Sequence, residues 1–452
     1  MIFRKFLALI ICSIMVLTTL AGCGTKAPTT TESTQTISPS TESSAASSTE
    51  NQTGPIKITY YGGWTGPDLD KMKALVDKFN GEQFKIQVEF TSLQWTPMFA
   101  KFLTDFKAGS PPDVMASHTF EIGQFADMGV LDEKAVADLK LNEADYLEKA
   151  WKAASYKDIQ YGVPLDVNMH ALFYNKDLFS KQGITAAPTT GEELISVGQK
   201  LTLDKNGKHP NEAGFDENNI VQYGLGFAMN HHVFYQFYGL LNQQDANTFT
   251  ADMTELKLDE EKAANAFSYL QNLIFKYKMV PEGEKSPIDD FKAGKVAMIV
   301  DGNWQIAGLE STNLNWDTAQ YPKVFNSGKM WGASEILTFP LNEKADDAKK
   351  QAAGEFVKWL SANSAEWAKS GQLPALKSAL DSAKTLKGRD AFYKELDNVT
   401  FIPAHPMATQ IFSSTAPSPI LTAAQDIVLN DKDPKAVVKK LIEDMNSLLS
   451  QK

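Results

Sequence analysis

Phe291-Lys-Ala-Gly-Lys-Val-Ala-Met-Ile-Val-Asp-Gly-Asn-Trp304 reads as a helix end, a turn at Gly294, a short strand over Val296–Val300 and a second turn that presents an indole. An apolar run of mostly β-forming residues bounded by glycines fits a central strand covered on both faces. Asp301-Gly302-Asn303-Trp304 then falls at the strand's C-terminal end, where open α/β sheets place their ligands. Trp304 in such a turn has two uses: it closes the core, or it lies against the apolar face of a pyranose ring.

Outward from this segment, strands and helices alternate. Ile56–Tyr61 alternates as a strand and ends at Gly62-Gly63-Trp64. Leu69, Met72, Leu75, Val76 and Phe79 recur at helical spacing after Asp68. A strand over Phe84–Phe90, a helix over Pro97–Ala108 and a strand entry at Pro111-Pro-Asp-Val-Met115 follow, leading into Ala116-Ser-His-Thr-Phe-Glu121. This order predicts a largely parallel α/β sheet. Tyr161-Gly-Val-Pro-Leu-Asp166 is a turn feeding an apolar strand that ends Tyr174-Asn-Lys-Asp-Leu178. Tyr223–Asn230 reads as a strand, Val233–Tyr238 as an aromatic helix, and Asp259–Lys278 as an amphipathic helix. Met330–Pro340 is extended, Gln351–Ser361 helical, Gly371-Gln-Leu-Pro374 a turn, and Asp433-Pro434 caps the last helix. Asp113, behind two prolines, is assigned a structural role.

The first residues are not part of the fold. Arg4 and Lys5 precede an apolar stretch over Phe6–Leu20 and a small-residue cleavage site, so residues 1–22 read as a signal peptide. The apolar run is too short for a good membrane-spanning helix. Leu20-Ala-Gly-Cys23 resembles a bacterial lipobox, which implies that the Cys23 thiol carries lipid and that Cys23 becomes the mature N-terminus. The chain has two cysteines. Cys12 is lost with the signal and Cys23 is lipidated, so no disulfide is expected and the core alone must stabilise the fold. Half of residues 24–55 are Ser or Thr, and residues 23–55 read as a lipidated, disordered tether. The remaining stretch, about 400 residues, exceeds what one core normally serves, so two lobes are expected. A net charge of −11 argues against nucleic acid or an anionic bilayer as the main partner.

The strand and Gly-x-Trp304 turn, the Trp64 loop, Pro111-Pro-Asp-Val114, Phe125-Ala-Asp-Met-Gly-Val-Leu-Asp132, the Gly162-Val-Pro164 block and Gly371-Gln-Leu-Pro374 occur in the order seen in one family. Over residues 56–452 the chain resembles the family 1 extracellular solute-binding proteins, the sugar-capturing receptors of ABC importers. The resemblance implies a two-lobe α/β, periplasmic-binding-protein-like fold of type II, each lobe a sheet flanked by helices. It places residues 56–165 plus 322–364 in the N-lobe and 166–321 plus 365–452 in the C-lobe. Crossovers near 164–168, 320–324 and 362–372 would form the hinge, and Met330–Pro340 resembles the family's return strand across the lobes. It further implies a lipid-anchored monomer on the extracellular face that delivers carbohydrate to transmembrane permease subunits, with no cofactor.

On the same resemblance the cleft is lined by Trp64, Asp68, Ser117, His118, Glu121, Asp166, Asn168, Tyr235, Trp304, Trp331, Ser334 and Glu335. Asp166 is the leading polar candidate, since a carboxylate accepts two hydroxyl hydrogen bonds at once. Asn168 lies two residues on and therefore on the same strand face. The residues leave other uses open: Asp68 as a helix cap, Tyr235 as core, His118 as a loop histidine. His231-His232 lack the spacing of a helical metal pair, and no metal is expected. No phosphate loop, nucleophile elbow or His-Glu-x-x-His motif is present. A glycan-processing enzyme would need paired carboxylates such as Asp166 and Glu335. A glycan-binding or sensing lipoprotein without transport is the remaining alternative.

Overall fold

The computed structural model describes residues 54–230, 232–246, 248–250, 253–283, 285–412 and 418–451. The expected signal peptide, Cys23, nearly all of the tether, and His231 lie outside the described residues. Twelve strands carry the architecture: β1 (Ile56–Gly62), β2 (Ile86–Ser92), β3 (Val114–His118), β4 (Gly162–Pro164), β5 (Asp166–Asn175), β6 (Gly226–Phe227), β7 (Met298–Gly302), β8 (Trp316–Ala319), β9 (Met330–Ala333), β10 (Glu335–Thr338), β11 (Leu373–Pro374) and β12 (Val399–Phe401). The helices that matter most are α1 (Pro67–Glu82), α2 (Trp95–Lys107), α3 (His232–Gln243), α4 (Glu260–Phe275), α5 (Asp347–Ala362), α6 (Pro419–Val428) and α7 (Pro434–Leu449).

Two sheets result. The first has the order β2-β1-β3-β10-β4, and the second β6-β7-β5-β9-β12, with β8 and β11 also paired to β5. Helices α1 and α5 pack on the first sheet, while α3, α4, α6 and α7 pack together beside the second. The fold is the expected α/β pair of lobes, but the sheets are mixed rather than largely parallel. β1 runs parallel to β2 and β3, whereas β10 is antiparallel to β3 and β4. β5 is antiparallel to β7, β8, β9 and β11. The antiparallel strands are those that arrive from the other sheet.

β5 is the spine of the second sheet. Nine of its ten residues are buried, as a strand covered on both faces requires. Val167, Met169, Ala171 and Phe173 share one face, and Asp166, Asn168 and His170 begin the other. The chain changes sheets at Leu165, between β4 and β5, and again at Ser334, between β9 and β10. This corrects the crossover expected at 320–324: β8 and β9 both remain on β5, so the chain does not change sheets between them. The third segment, 362–372, leads into β11, whose Leu373 and Pro374 pair with Val167 and Asp166.

Several boundaries shift by a few residues. The second strand starts at Ile86 and leaves Phe84 almost wholly exposed, and the strand expected over Tyr223–Asn230 shortens to β6. Asp113 is structural: it accepts the Thr59 amide at 2.8 Å and pairs with Lys349 at 3.0 Å.

Asn303 fastens the third crossover to the spine. Its Oδ1 accepts the Met169 amide at 3.1 Å, and its Nδ2 donates to Val167 O at 3.2 Å and to Gly371 O at 3.3 Å. Gly371 has φ +120°, and a Cβ there would lie 1.9 Å from the Asn303 carbonyl oxygen. Gly371→Ala is therefore expected to cost at least about 3 kcal/mol in urea unfolding. Gly129→Ala, at φ +66° with open space around it, should cost only about 1 kcal/mol.

Candidate functional site

Both sheets end a central strand in the same local device. β1 closes with Gly62-Gly63-Trp64 and β7 with Gly302-Asn303-Trp304. In each, the indole folds back over the glycine two residues earlier. A Cβ on Gly62 would lie 2.5 Å from the Trp64 ring, and one on Gly302 2.1 Å from the Trp304 ring. Absence of a side chain thus lets each ring lie along its strand end.

Around Trp64 the site is carboxylate-rich. Trp64 is buried edge-on against Trp95 (5.6 Å between centroids) and Trp367 (5.2 Å). Asp68 lies in the first turn of α1, whose N-cap is Gly66, so Asp68 is not the cap residue. Burial pushes its carboxyl up to about 6 against the opposing pull of the Leu69 amide and neighbouring donors. Asp166 is fully buried and turned toward protein. Its Oδ1 accepts the Glu335 amide at 3.0 Å and Asn168 Nδ2 at 3.3 Å, and its Oδ2 accepts Trp367 Nε1 at 2.6 Å. One carboxylate thereby ties together all three crossover segments.

The Glu335 carboxyl lies beside Asp166. Burial first, and Asp166 second, raise its pKa well above the ordinary carboxylate range. The two buried carboxyls act directly on each other, and the Glu335 amide is held by Asp166 Oδ1 at 3.0 Å.

Around Trp304 the site is aromatic. Tyr235 on α3 stacks on Trp331 of β9 at 3.9 Å and 10°. Trp304 meets Trp331 edge-on at 6.3 Å and His232 at 5.4 Å, and His170 lies 4.9 Å from Trp331. Asp301 aims the turn: its Oδ1 accepts the Gly302 amide at 2.7 Å and its Oδ2 accepts Gln305 Nε2 at 3.1 Å. Burial raises the Asp301 pKa to about 7. Burial, with Glu121 nearby, also raises the pKa of Tyr235, which brings the end of β3 toward the aromatic group.

At that end, His118 and Glu121 form a reciprocal cap. Glu121 Oε2 accepts the His118 amide at 2.9 Å and meets its Nδ1 at 3.0 Å. The imidazole stacks on Phe120 at 5.1 Å and lies 4.1 Å from Trp95. Loops of the two sheets meet here: the His405 amide donates to Phe120 O at 3.1 Å, and the Thr409 amide to Gln124 Oε1 at 2.8 Å. The loops that follow β3 and β12 are therefore in direct contact.

Five buried polar atoms in this region have no hydrogen bond of normal geometry: Trp64 Nε1, Asp68 Oδ1, Asn168 Oδ1, Trp331 Nε1 and Glu335 Oε2. Leaving such groups unmade costs about 1–3 kcal/mol each, and native structures retain few without a reason. Trp64 Nε1 and the Glu335 carboxyl face each other; the remaining donor, Trp331 Nε1, and the acceptors Asp68 Oδ1 and Asn168 Oδ1 suit a ligand with many hydroxyls, each able to donate and accept.

The structure brings Trp64, Asp68, His118, Asp166 and Glu335 together around the hinge, and Asn168, Tyr235, Trp304 and Trp331 at and beyond it. Glu121 reaches the aromatic group through its effect on Tyr235. Ser117 and Ser334 are fully buried, with Oγ donating to the carbonyls of His118 and Glu335. The sequence reading missed His170, His232, Trp95 and Trp367. His170 had a signal in the Asp166, Asn168, His170 alternation along one face of β5. Trp95 and Trp367 are brought in only by tertiary packing. Among the described residues no group of three or more His, Cys, Asp or Glu could hold a metal ion.

The sequence profile of the bacterial extracellular solute-binding proteins matches residues 74–392. The chain is 28% identical to the maltodextrin-binding protein MdxE of Bacillus subtilis, over 66% of this chain and 70% of that protein. It is 24% identical to the maltotriose-binding protein of Pyrococcus abyssi, over 75% of this chain and 71% of that one. Among solved structures, the substrate-binding protein Lmo0181 of Listeria monocytogenes, in complex with cycloalternan, superposes with a TM-score of 0.73. That match has 22% identity and covers 88% of this chain and 100% of that one.

The Tyr235–Trp331 stack generates a prediction independent of any ligand. In a double-mutant cycle of Tyr235→Ala and Trp331→Ala, followed by urea unfolding, the coupling energy should be about 1 kcal/mol.

Proposed function

The chain belongs to the bacterial extracellular solute-binding proteins, and from that premise we propose that it captures an oligosaccharide by hinge closure and delivers it to an ABC transporter permease. The observation that carries this reading is the set of unpaired buried polar atoms among indole and phenol faces. Trp304, Trp331, Tyr235 and Trp64 supply flat apolar surface, while Asn168, Asp68 and the Trp331 indole N–H supply directional hydroxyl contacts. His118 and Glu121 border the same cleft. No Lys or Arg is found among the proposed contacts, which favours a neutral ligand over an anionic one.

The first lobe comprises residues 56–165 and 335–364, and the second 166–334 and 365–452. Contact between their loops, at Phe120 with His405 and Gln124 with Thr409, supports reading this arrangement as the closed one. Ligand shifts the population toward it, and the closed face is what the permease recognises. Residues 1–22 direct export, Cys23 carries the lipid anchor, and residues 23–55 tether a monomer at the extracellular face of the membrane. On this reading the protein binds without catalysis, which the engagement of the Asp166 carboxylate by the crossover donors supports.

Maltotriose is the first ligand to try, because relatives named for maltodextrin and maltotriose span most of the chain. At about a hundred times its Kd, a ligand that binds only the native state should add about 2.7 kcal/mol of stability, read as a rise in Tm. Trp304→Ala should weaken binding by about thirtyfold, a loss of about 2 kcal/mol. Equal Tm shifts in wild type and Trp304→Ala would remove the indole from the site. A galacto-oligosaccharide, tried in parallel, tests whether the site is selective for glucans.

A further inference from the structure

We propose that Asp166 and Glu335 are a positioning pair that shares one proton, and that the crossovers lock together only when that proton is bound. Asp166 receives hydrogen bonds from the second crossover through the Glu335 amide and from the third through Trp367 Nε1. It stands itself at the first crossover, immediately after Leu165. With Asn168 Nδ2 as well, three of its roughly four acceptor positions are filled by protein. Glu335 Oε2, by contrast, is buried without a partner of normal geometry. Two adjacent dry carboxyls do not both ionise. The arrangement that satisfies them is a charged Asp166 accepting from a protonated Glu335.

The surroundings agree. Tyr60 of β1, Trp64 of the following loop, Asp68 of α1, His118 at the end of β3, Asn168 of β5 and Trp367 of the third crossover face the pair. Of these only His118 can bring positive charge, and its Nδ1 is engaged by Glu121. Asp68 adds a further carboxyl that disfavours ionised Glu335. The tyrosine hydroxyl responds in turn: after burial, Glu335 and Asp166 are what raise the Tyr60 pKa. Opening the cleft would rewet Glu335 and release the proton to solvent. That hinge role rests on the proposed function; the shared proton does not.

The sign follows from the raised values. A carboxyl whose pKa is higher in the folded state binds more proton there. Its burial penalty is absent below the ordinary carboxylate range, near pH 4, and grows as pH rises through the folded value. Stability of the closed fold therefore falls between about pH 4 and the raised value of the pair.

The test is urea unfolding of the full chain from about pH 5 to about pH 8, without ligand. Asp68, Asp301 and Glu395 also have raised pKa values, so the readout is the difference between proteins rather than the wild-type slope. Glu335→Gln keeps a donor toward Asp166 and removes the titration. It should flatten the dependence of the logarithm of the folding constant on pH by about one, a tenfold change per pH unit for one proton. Should Glu335→Gln fail to fold, Glu335→Met, an apolar side chain of similar length, serves the same comparison.

Parallel slopes for wild type and variant would overturn the proposal. In a second arm, maltotriose should bind wild type up to about tenfold more weakly per pH unit over the same window, and Glu335→Gln with a flatter profile. The unfolding slopes decide on the shared proton whether or not maltotriose binds, so failure of the carbohydrate reading remains distinguishable.

Discussion

The Asp166 carboxylate is the interaction on which the arrangement of the two sheets depends. It stands at the start of β5, where the chain has just left the first sheet, and it holds the amide of Glu335 at 3.0 Å and the indole of Trp367 at 2.6 Å. These donors come from the other two crossover segments. A buried carboxylate is costly unless its oxygens are met by donors, and here that requirement makes three distant stretches of chain converge. Asn303 repeats the logic with neutral groups, bridging Met169, Val167 and Gly371. Between them, one acid and one amide set the register at which the lobes meet.

Two kinds of surface converge on that junction. One is apolar and flat, built from Trp64, Trp304, Trp331 and Tyr235, with glycines at 62 and 302 letting two of the indoles fold over their strand ends. The other is polar and short of partners. A purely structural core pairs its polar atoms and uses aromatics to fill volume. An unpaired donor and acceptor set beside indole and phenol rings behaves differently, since a polyhydroxylated ring answers both at once. This combination, more than any single residue, motivates the carbohydrate reading.

Much of the fold was legible in the sequence because its signals are local. Glycine-bounded apolar runs gave β7, helical spacing gave α1, and the Gly162-Val-Pro164 block marked the first crossover. The second crossover was legible only through the family resemblance, which marked Met330–Pro340 as a return strand across the lobes while the boundary was set at 320–324. Met330–Pro340 is one extended apolar stretch, and nothing in its composition announces that pairing partners change at Ser334. Mixed strand direction was hidden for a related reason, since periodicity reports burial and not polarity of the neighbour.

Of the site, strand-end residues such as Trp64 and Trp304 were readable from glycine punctuation and position. Trp95, Trp367 and the His405 loop enter only through packing across long sequence separations. Asp166 was readable as important, yet its oxygens face the crossovers, a fact that depends on Glu335 and Trp367 arriving beside it. Lobe closure around an intact oligosaccharide is tested most directly by calorimetric titration with maltotriose, followed by chromatography of the recovered sugar. The account predicts saturable binding with a negative heat-capacity change and maltotriose returned at full length. Shortened sugars, or no saturable binding of maltotriose or of a galacto-oligosaccharide, would contradict it.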